Sequence, residues 1–192
     1  MHSDHVRDHD HDRDHDQHHD RGYAHDEGRD PSAGEPGAGW RAVLEADGGP
    51  YTLHEHAPAH TVAERQALPF PWERAVKTLA FSTPDTPLLL VVLRAADRLD
   101  YGLLAHVVGT ARSGLSPAGP ELLEREGLVP GGVPPVSHRP GVPCLIDTAV
   151  AETAGAVYCG AGTADRTLDV DPTVLVRLPR ARVTLLHRGS AD

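Results

Sequence analysis

Lysine is almost missing from this chain of 192 residues, where Lys77 stands alone against seventeen arginines. Cysteine is as scarce. Cys144 and Cys159 fit neither a CxxC redox motif nor a zinc-ribbon spacing, and the expectation is core packing as free thiols rather than a disulfide. No run of about 18 apolar residues is present to span a bilayer, and the amino-terminal residues are too polar for the apolar segment of a signal peptide. A soluble cytoplasmic protein without a membrane partner is therefore expected. The chain also lacks a P-loop, a GxSxG elbow and an HExxH pair, and nothing in it suggests a Ser-His-Asp or Cys-His arrangement for a covalent route.

Positive charge is in deficit too, with a formal net charge of -10. Residues 1–30 hold ten Asp or Glu and four Arg, so they carry -6 of it and the other 162 residues only -4. The folded part is mildly acidic. It has no broad basic patch of the kind that phosphate contacts demand, which points to weak intrinsic affinity for RNA or to help from a partner.

The length and a hydrophobic content of 39% suit one ordinary domain with an extension. From Met1 to Asp30 the chain is mostly His, Asp and Arg, too polar to offset the entropy of ordering. Pro31 to Gly39 reads as a flexible linker. We therefore expect a disordered tail over residues 1–39 and a domain over 40–188. The tail's eight histidines, interspersed with carboxylates, suit weak binding of divalent metal ions such as zinc, nickel or copper, without a fixed geometry.

Within the domain, Tyr51 to His56 reads as a short strand, and Thr61 caps a helix running through Glu64 and Arg65 toward Leu68, ended by Pro69 and Pro71. Ala75 to Phe81 and Leu88 to Leu93 read as neighbouring strands joined by a turn. Leu99, Leu103, Leu104, Val107 and Val108 recur at helical spacing, with Asp97 or Asp100 at the start and Gly109 at the stop. Glu121 to Glu126 fits a shorter helix closing at Gly127, followed by an exposed loop from Val129 to Pro135. Pro143 to Ile146, Ala156 to Cys159, Val174 to Leu178 and Val183 to Leu186 read as strands. The elements lack a βαβ rhythm, so the fold class is α+β.

Four features carry chemistry. Lys77 sits in an apolar strand where a compact ammonium, whose pKa burial can lower, has been kept in an arginine-rich chain. The competing reading is a surface lysine retained by chance. The loop Gly131-Gly132-Val133-Pro134-Pro135 can bring backbone N–H groups close to a ligand, although such loops are more often plain connectors. Tyr158-Cys159-Gly160-Ala161-Gly162 is a strand entering a glycine turn, with Asp147 at the end of the preceding strand; no second βα unit follows, so it is not a dinucleotide fingerprint. His54, His56 and His60 are candidate metal ligands, weighed against the more ordinary structural or solvated role because no Cys or carboxylate stands at matching spacing.

The ordered set of these fragments resembles the YbaK and ProX family of aminoacyl-tRNA deacylases, related to the insertion domain of prolyl-tRNA synthetase. The resemblance runs from about Tyr51 to Leu178. It is carried by His56 and Thr61, Lys77-Thr78-Leu79, Leu88 to Leu93, Leu99-Asp100, Gly131 to Pro135, Ile146-Asp147 and Tyr158 to Gly162. It implies a curved mixed β-sheet surrounded by helices, and hydrolysis of the ester of mischarged tRNA, often tRNA for proline, with no metal, cofactor or protein nucleophile. It also implies Lys77, Gly131 and Gly132 as catalytic groups, and His54, His56, Thr78, Val133, Pro134, Pro135, Asp147, Gly160, Ala161 and Gly162 as substrate contacts. The partners implied are aminoacyl-tRNA and a synthetase such as prolyl-tRNA synthetase. His54 stands where YbaK has a tyrosine and Pro134 where it has a serine, which points to a different amino acid from YbaK's cysteine. The rival is an idle module of the same fold that binds aminoacyl or nucleotide groups, its metal-binding tail carrying the role.

Overall fold

The computed structural model describes residues 39–139 and 141–188. The expected tail, its metal ions and most of the linker lie outside the described residues. The central strand, β3 (Leu89–Arg94), has Leu89 to Leu93 all buried, as a continuous apolar run requires of a strand covered on both faces. β2 (Val76–Ser82) pairs with it antiparallel, placing Lys77 opposite Leu93 and Phe81 opposite Leu89. β5 (Cys144–Asp147) runs parallel to β3, and β8 (Ala181–Thr184) parallel to β5. The two-residue β4 (Ser116–Pro117) covers only the Phe81–Ser82 end of β2. The five strands lie in the order β4-β2-β3-β5-β8.

A second, antiparallel sheet has the order β1-β7-β6, formed by β1 (Tyr51–Glu55), β7 (Arg166–Val170) and β6 (Val157–Gly160). One parallel bridge, Ala75 to Tyr158, ties it to the start of β2. The architecture is α+β as expected, with its strands divided between two sheets.

Period-two alternation sorts the core. Leu90, Val92, Cys144 and Ile146 join Trp40, Leu44, Val157, Leu168, Val174 and Leu175 in one cluster, while Leu89, Val91, Leu93 and Leu145 join Phe81, Leu104 and Leu186 in the other. Both thiols are free and buried. Burial pushes the Cys144 thiol up to about 12, and Cys159 upward as well.

The helices follow their caps. α2 (Val62–Gln66) opens on a complete capping box between Thr61 and Glu64. α3 (Tyr101–Val108) is capped by Asp100, which accepts from the N–H of Gly102 and Leu103, and stops at Gly109 with φ 73°. α4 (Pro120–Arg125) and the one-turn α5 (Thr148–Ala151) complete the middle of the chain.

Two stretches differ from expectation, and four of the named elements were unforeseen. Val174 to Leu178 is not a strand: α6 spans Pro172–Arg177, started by Asp171 accepting from the Thr173 N–H at 2.8 Å and by proline in the first turn. The strand expected at Val183 to Leu186 lies two residues earlier, as β8. β4, α5, β7 and α1 (Gly39–Asp47) were not foreseen; α1 buries Trp40 and Leu44, and Trp40 donates its indole N–H to the carbonyl of Ala161 at 3.1 Å. Among the described residues no helix is long and apolar enough to cross a membrane.

Candidate active site

Between the bridge at Ala75 and the cover provided by β4, the outer edge of β2 carries no strand partner among the described residues. A cleft of about 360 Å³ opens along it, lined by Val76 to Leu79, by Arg65, Leu68, Phe70 and Trp72, by Gly131 and Val133, and by Tyr158, Cys159, Gly160 and Thr167 among others. Its walls are apolar apart from two cations, Lys77 and Arg65, and a few neutral polar groups. Among the described residues no carboxylate lines it.

The half-buried Lys77 donates from Nζ to the carbonyl oxygens of Ala95, at 2.9 Å, and Asp97, at 2.5 Å. Burial holds its pKa below the ordinary lysine value, a shift partly offset by the charge of Asp97. An ammonium has three donors, so one N–H is left for a ligand. Thr78 also lines the cleft, and its buried hydroxyl has no hydrogen-bond partner among the described residues.

The glycine loop contributes Gly131 and Val133 to the wall. Gly131, at φ 78°, needs the freedom of glycine, and its carbonyl accepts from Arg65 at 2.7 Å. Gly132 is buried and outside the lining. A Cβ there would lie 2.8 Å from the backbone of Gly162 and Thr163, and its N–H donates to the Val129 carbonyl at 2.9 Å. The expectation that Gly132 offers its N–H to a ligand is thus corrected: that donor closes the turn. Val133 lines the cleft, whereas Pro134 and Pro135 are buried behind it, the Pro135 carbonyl facing the Cys144 thiol at 3.4 Å. Gly160 lines the cleft as well. Ala161 and Gly162 do not; they support the wall through Trp40 and Gly132.

His54 and His56 stand behind an aromatic wall rather than in the cleft. Phe70 stacks on Tyr158, with centroids 5.0 Å apart and planes 21° apart, and His54 packs on the same Phe70 at 5.0 Å. His56 Nδ1 is 2.8 Å from the Ala57 carbonyl and must donate there, so in the neutral ring Nε2, 2.9 Å from Thr167 Oγ1, accepts. His54 Nε2 lies 3.5 Å from Asp169, and His60 is exposed. These three do not form a ligand cluster; among the described residues the group of that type is Asp97, Asp147 and His187, in which Arg94 holds the Asp97 carboxylate at 2.7 Å.

Asp147 is the clearest correction to the expected substrate contacts. Fully buried and away from the cleft, it caps α5 through the Ala149 N–H at 2.8 Å and binds residues 186–187. Phe70, Trp72, Arg65 and Thr167 were not foreseen as cleft residues. The signal available for two of them was an aromatic pair set in Pro69-Phe70-Pro71-Trp72.

A family model described as the aminoacyl-tRNA editing domain matches residues 56–178, which include Lys77, the glycine loop and the Tyr158 strand. The chain belongs to that family. Two solved structures extend the likeness of this editing domain. One, described as a candidate trans-editing enzyme for prolyl tRNA synthetase, is 30% identical with a TM-score of 0.68, covering 81% of this chain and 99% of the other. The second, the hypothetical protein APE2540, is 26% identical with a TM-score of 0.68, covering 78% and 99%. No curated protein matches the chain.

Proposed function

We propose that the protein is a cytoplasmic trans-editing deacylase that hydrolyses the ester of mischarged tRNA, with tRNA for proline as the leading candidate. The observation that carries this reading is the placement of the lone lysine in a cleft that no carboxylate of the described residues lines, two of its protons held by carbonyls and the third left over. The aminoacyl group lies along the free edge of β2, and Lys77 donates its remaining N–H to the ester or the terminal ribose. Gly131 and Val133 shape the wall, which is largely apolar and excludes bulk water.

Water adds to the ester carbonyl, and the tetrahedral adduct expels the ribose hydroxyl, leaving free amino acid and tRNA. Positioning and polarisation by fixed donors account for the acceleration. Support comes from the family match, and from the fact that nearly all of the 30%-identical candidate trans-editing enzyme is covered. The test is to incubate the protein with tRNAs charged with Ala, Ser, Cys, Thr and Pro and to follow loss of the ester. Cleavage of at least one is expected. Retention of every ester alongside binding would leave an aminoacyl-binding module instead.

A further inference from the structure

Lys77 is held by a turn, and that turn is clamped from both ends. The carbonyls of Ala95 and Asp97 that receive the ammonium belong to the turn after β3. At its near end the Asp97 N–H returns to the Arg94 carbonyl at 3.1 Å, and the Arg94 guanidinium grips the Asp97 carboxylate at 2.7 and 3.2 Å. At its far end residues 98–100 pair with residues 186–188. Asp100 N–H donates to Leu186 O at 2.7 Å, Arg188 N–H to Arg98 O at 3.3 Å, and Leu99 stands opposite His187.

This C-terminal strap is anchored by Asp147. One oxygen of that carboxylate accepts the N–H groups of Leu186 and His187, at 2.7 and 3.1 Å, and the other meets His187 Nδ1 at 2.8 Å. Ligand-type atoms of Asp97, Asp147 and His187 all lie within 4.8 Å of one another. Two carboxylates that close repel unless cations or donors stand beside them. Arg94 and the His187 imidazole supply that here. The strap also lies beyond the editing-family match, which ends at residue 178.

We infer that Asp147 and His187 are positioning residues for Lys77, fixing the turn at 95–97 and with it the direction of the ammonium's remaining N–H. His187→Ala leaves both main-chain bonds to Asp147 in place but exposes Asp97 to its carboxylate neighbour, so the turn shifts while the fold persists. The kinetic consequence rests on the deacylase reading. The structural one does not.

The experiment uses the single lysine as its own reporter. The full chain labelled with [13Cε]lysine gives one lysine Cε signal, with two inequivalent Hε protons while the ammonium is held and a titration midpoint below 10.5. In His187→Ala the two Hε shifts are expected to merge and the midpoint to rise toward 10.5 as water reaches the ammonium. In the same variant kcat for deacylation is expected to fall about tenfold with KM little changed, as for a misplaced group. His187→Asn, whose amide N–H reaches Asp147 from the same side, should restore most of both. Arg188→Ala, which removes only an exposed contact to Asp100, should move the lysine signal the same way by less; it decides the question if His187→Ala fails to fold. A wild-type lysine signal in the folded variants, or equal loss of activity in His187→Ala and His187→Asn, overturns the inference. If the wild type cleaves no aminoacyl-tRNA the deacylase reading falls, and the lysine signal still decides the positioning.

Discussion

Gly162 donates its N–H to the carbonyl oxygen of Gly132 at 2.8 Å, so the two glycine segments that flank the cleft touch backbone to backbone. A Cβ on Gly132 would meet Gly162 and Thr163 at 2.8 Å, and one on Gly160 would meet Gly132 at 2.9 Å; backbone cannot swing aside as a side chain can. We expect Gly132→Ala and Gly160→Ala each to cost about 1–3 kcal/mol of stability, the usual scale for overpacking. Urea unfolding measures it. In Gly131→Ala the Cβ would meet only the movable Arg65 guanidinium, at 3.3 Å, but the backbone is strained at positive φ by about 1–3 kcal/mol, and as a cleft residue it should also slow deacylation. Loss of activity without loss of stability in Gly132→Ala would return Gly132 to the chemistry.

For Lys77, the expected outcome is that Lys77→Ala abolishes deacylation and that Lys77→Arg restores little. A guanidinium is planar and larger, so it cannot donate to both Ala95 and Asp97 and keep a third proton in the same direction. Single-turnover rates at two salt concentrations, with melting curves as a fold control, are the measurement. Near-normal cleavage by Lys77→Arg would reduce Lys77 to an electrostatic anchor for phosphate.

Arg188 ties the strap to Asp100 at 2.8 Å, and its hydrogen bond is the foremost reason the Asp100 carboxyl sits at about 2, below the ordinary 3.8. The stabilisation is therefore fully present above about pH 4 and is lost as pH falls through about 2. Arg188 is largely exposed, so the effect is screened. Melting scans should place Arg188→Ala below wild type by no more than about 3 °C near neutral pH, with the gap closing toward pH 2. A gap that stayed constant with pH would assign it to lost packing.

Because α1 carries Trp40 and Leu44 into the core, a chain starting at Gly34 should fold and keep its activity, whereas one starting at Tyr51 should not. Trp40→Ala alone is expected to cost about 3–5 kcal/mol, since it empties a core position and leaves the Ala161 carbonyl without its donor. Circular dichroism against denaturant reads this directly. Folding of the shorter chain would move the domain boundary past α1.

The elements legible in the sequence were those with strong local chemistry. Thr61 with Glu64, and Asp100 with Gly109, bound their helices as their cap signals indicate, and Leu88 to Leu93 could hardly be anything but a central strand. Val174 to Leu178, five mostly branched or apolar residues, suits a strand by itself, but Asp171-Pro172 just before it is a helix start and decides the local structure. β7 is hard to read locally because Arg166 and Asp169, three residues apart and so on opposite faces of the strand, break the apolar pattern of both. For the site, Lys77 stood out by composition. Asp147 did not declare itself as an anchor, because the donors that fill it come from about 40 residues further along the chain.

The two buried thiols have a practical consequence. Only the thiolate attacks alkylating reagents, and burial keeps Cys144 and Cys159 protonated at any ordinary pH. Cys144 lies on β5, an inner strand of the five-stranded sheet, and Cys159 in the smaller one, where its thiol also contacts the Leu168 carbonyl at 3.5 Å. A maleimide should leave the native protein untouched and mark each sheet only when it opens. Mass shifts at the two sites, followed over time, would then tell whether the sheets part together or one before the other.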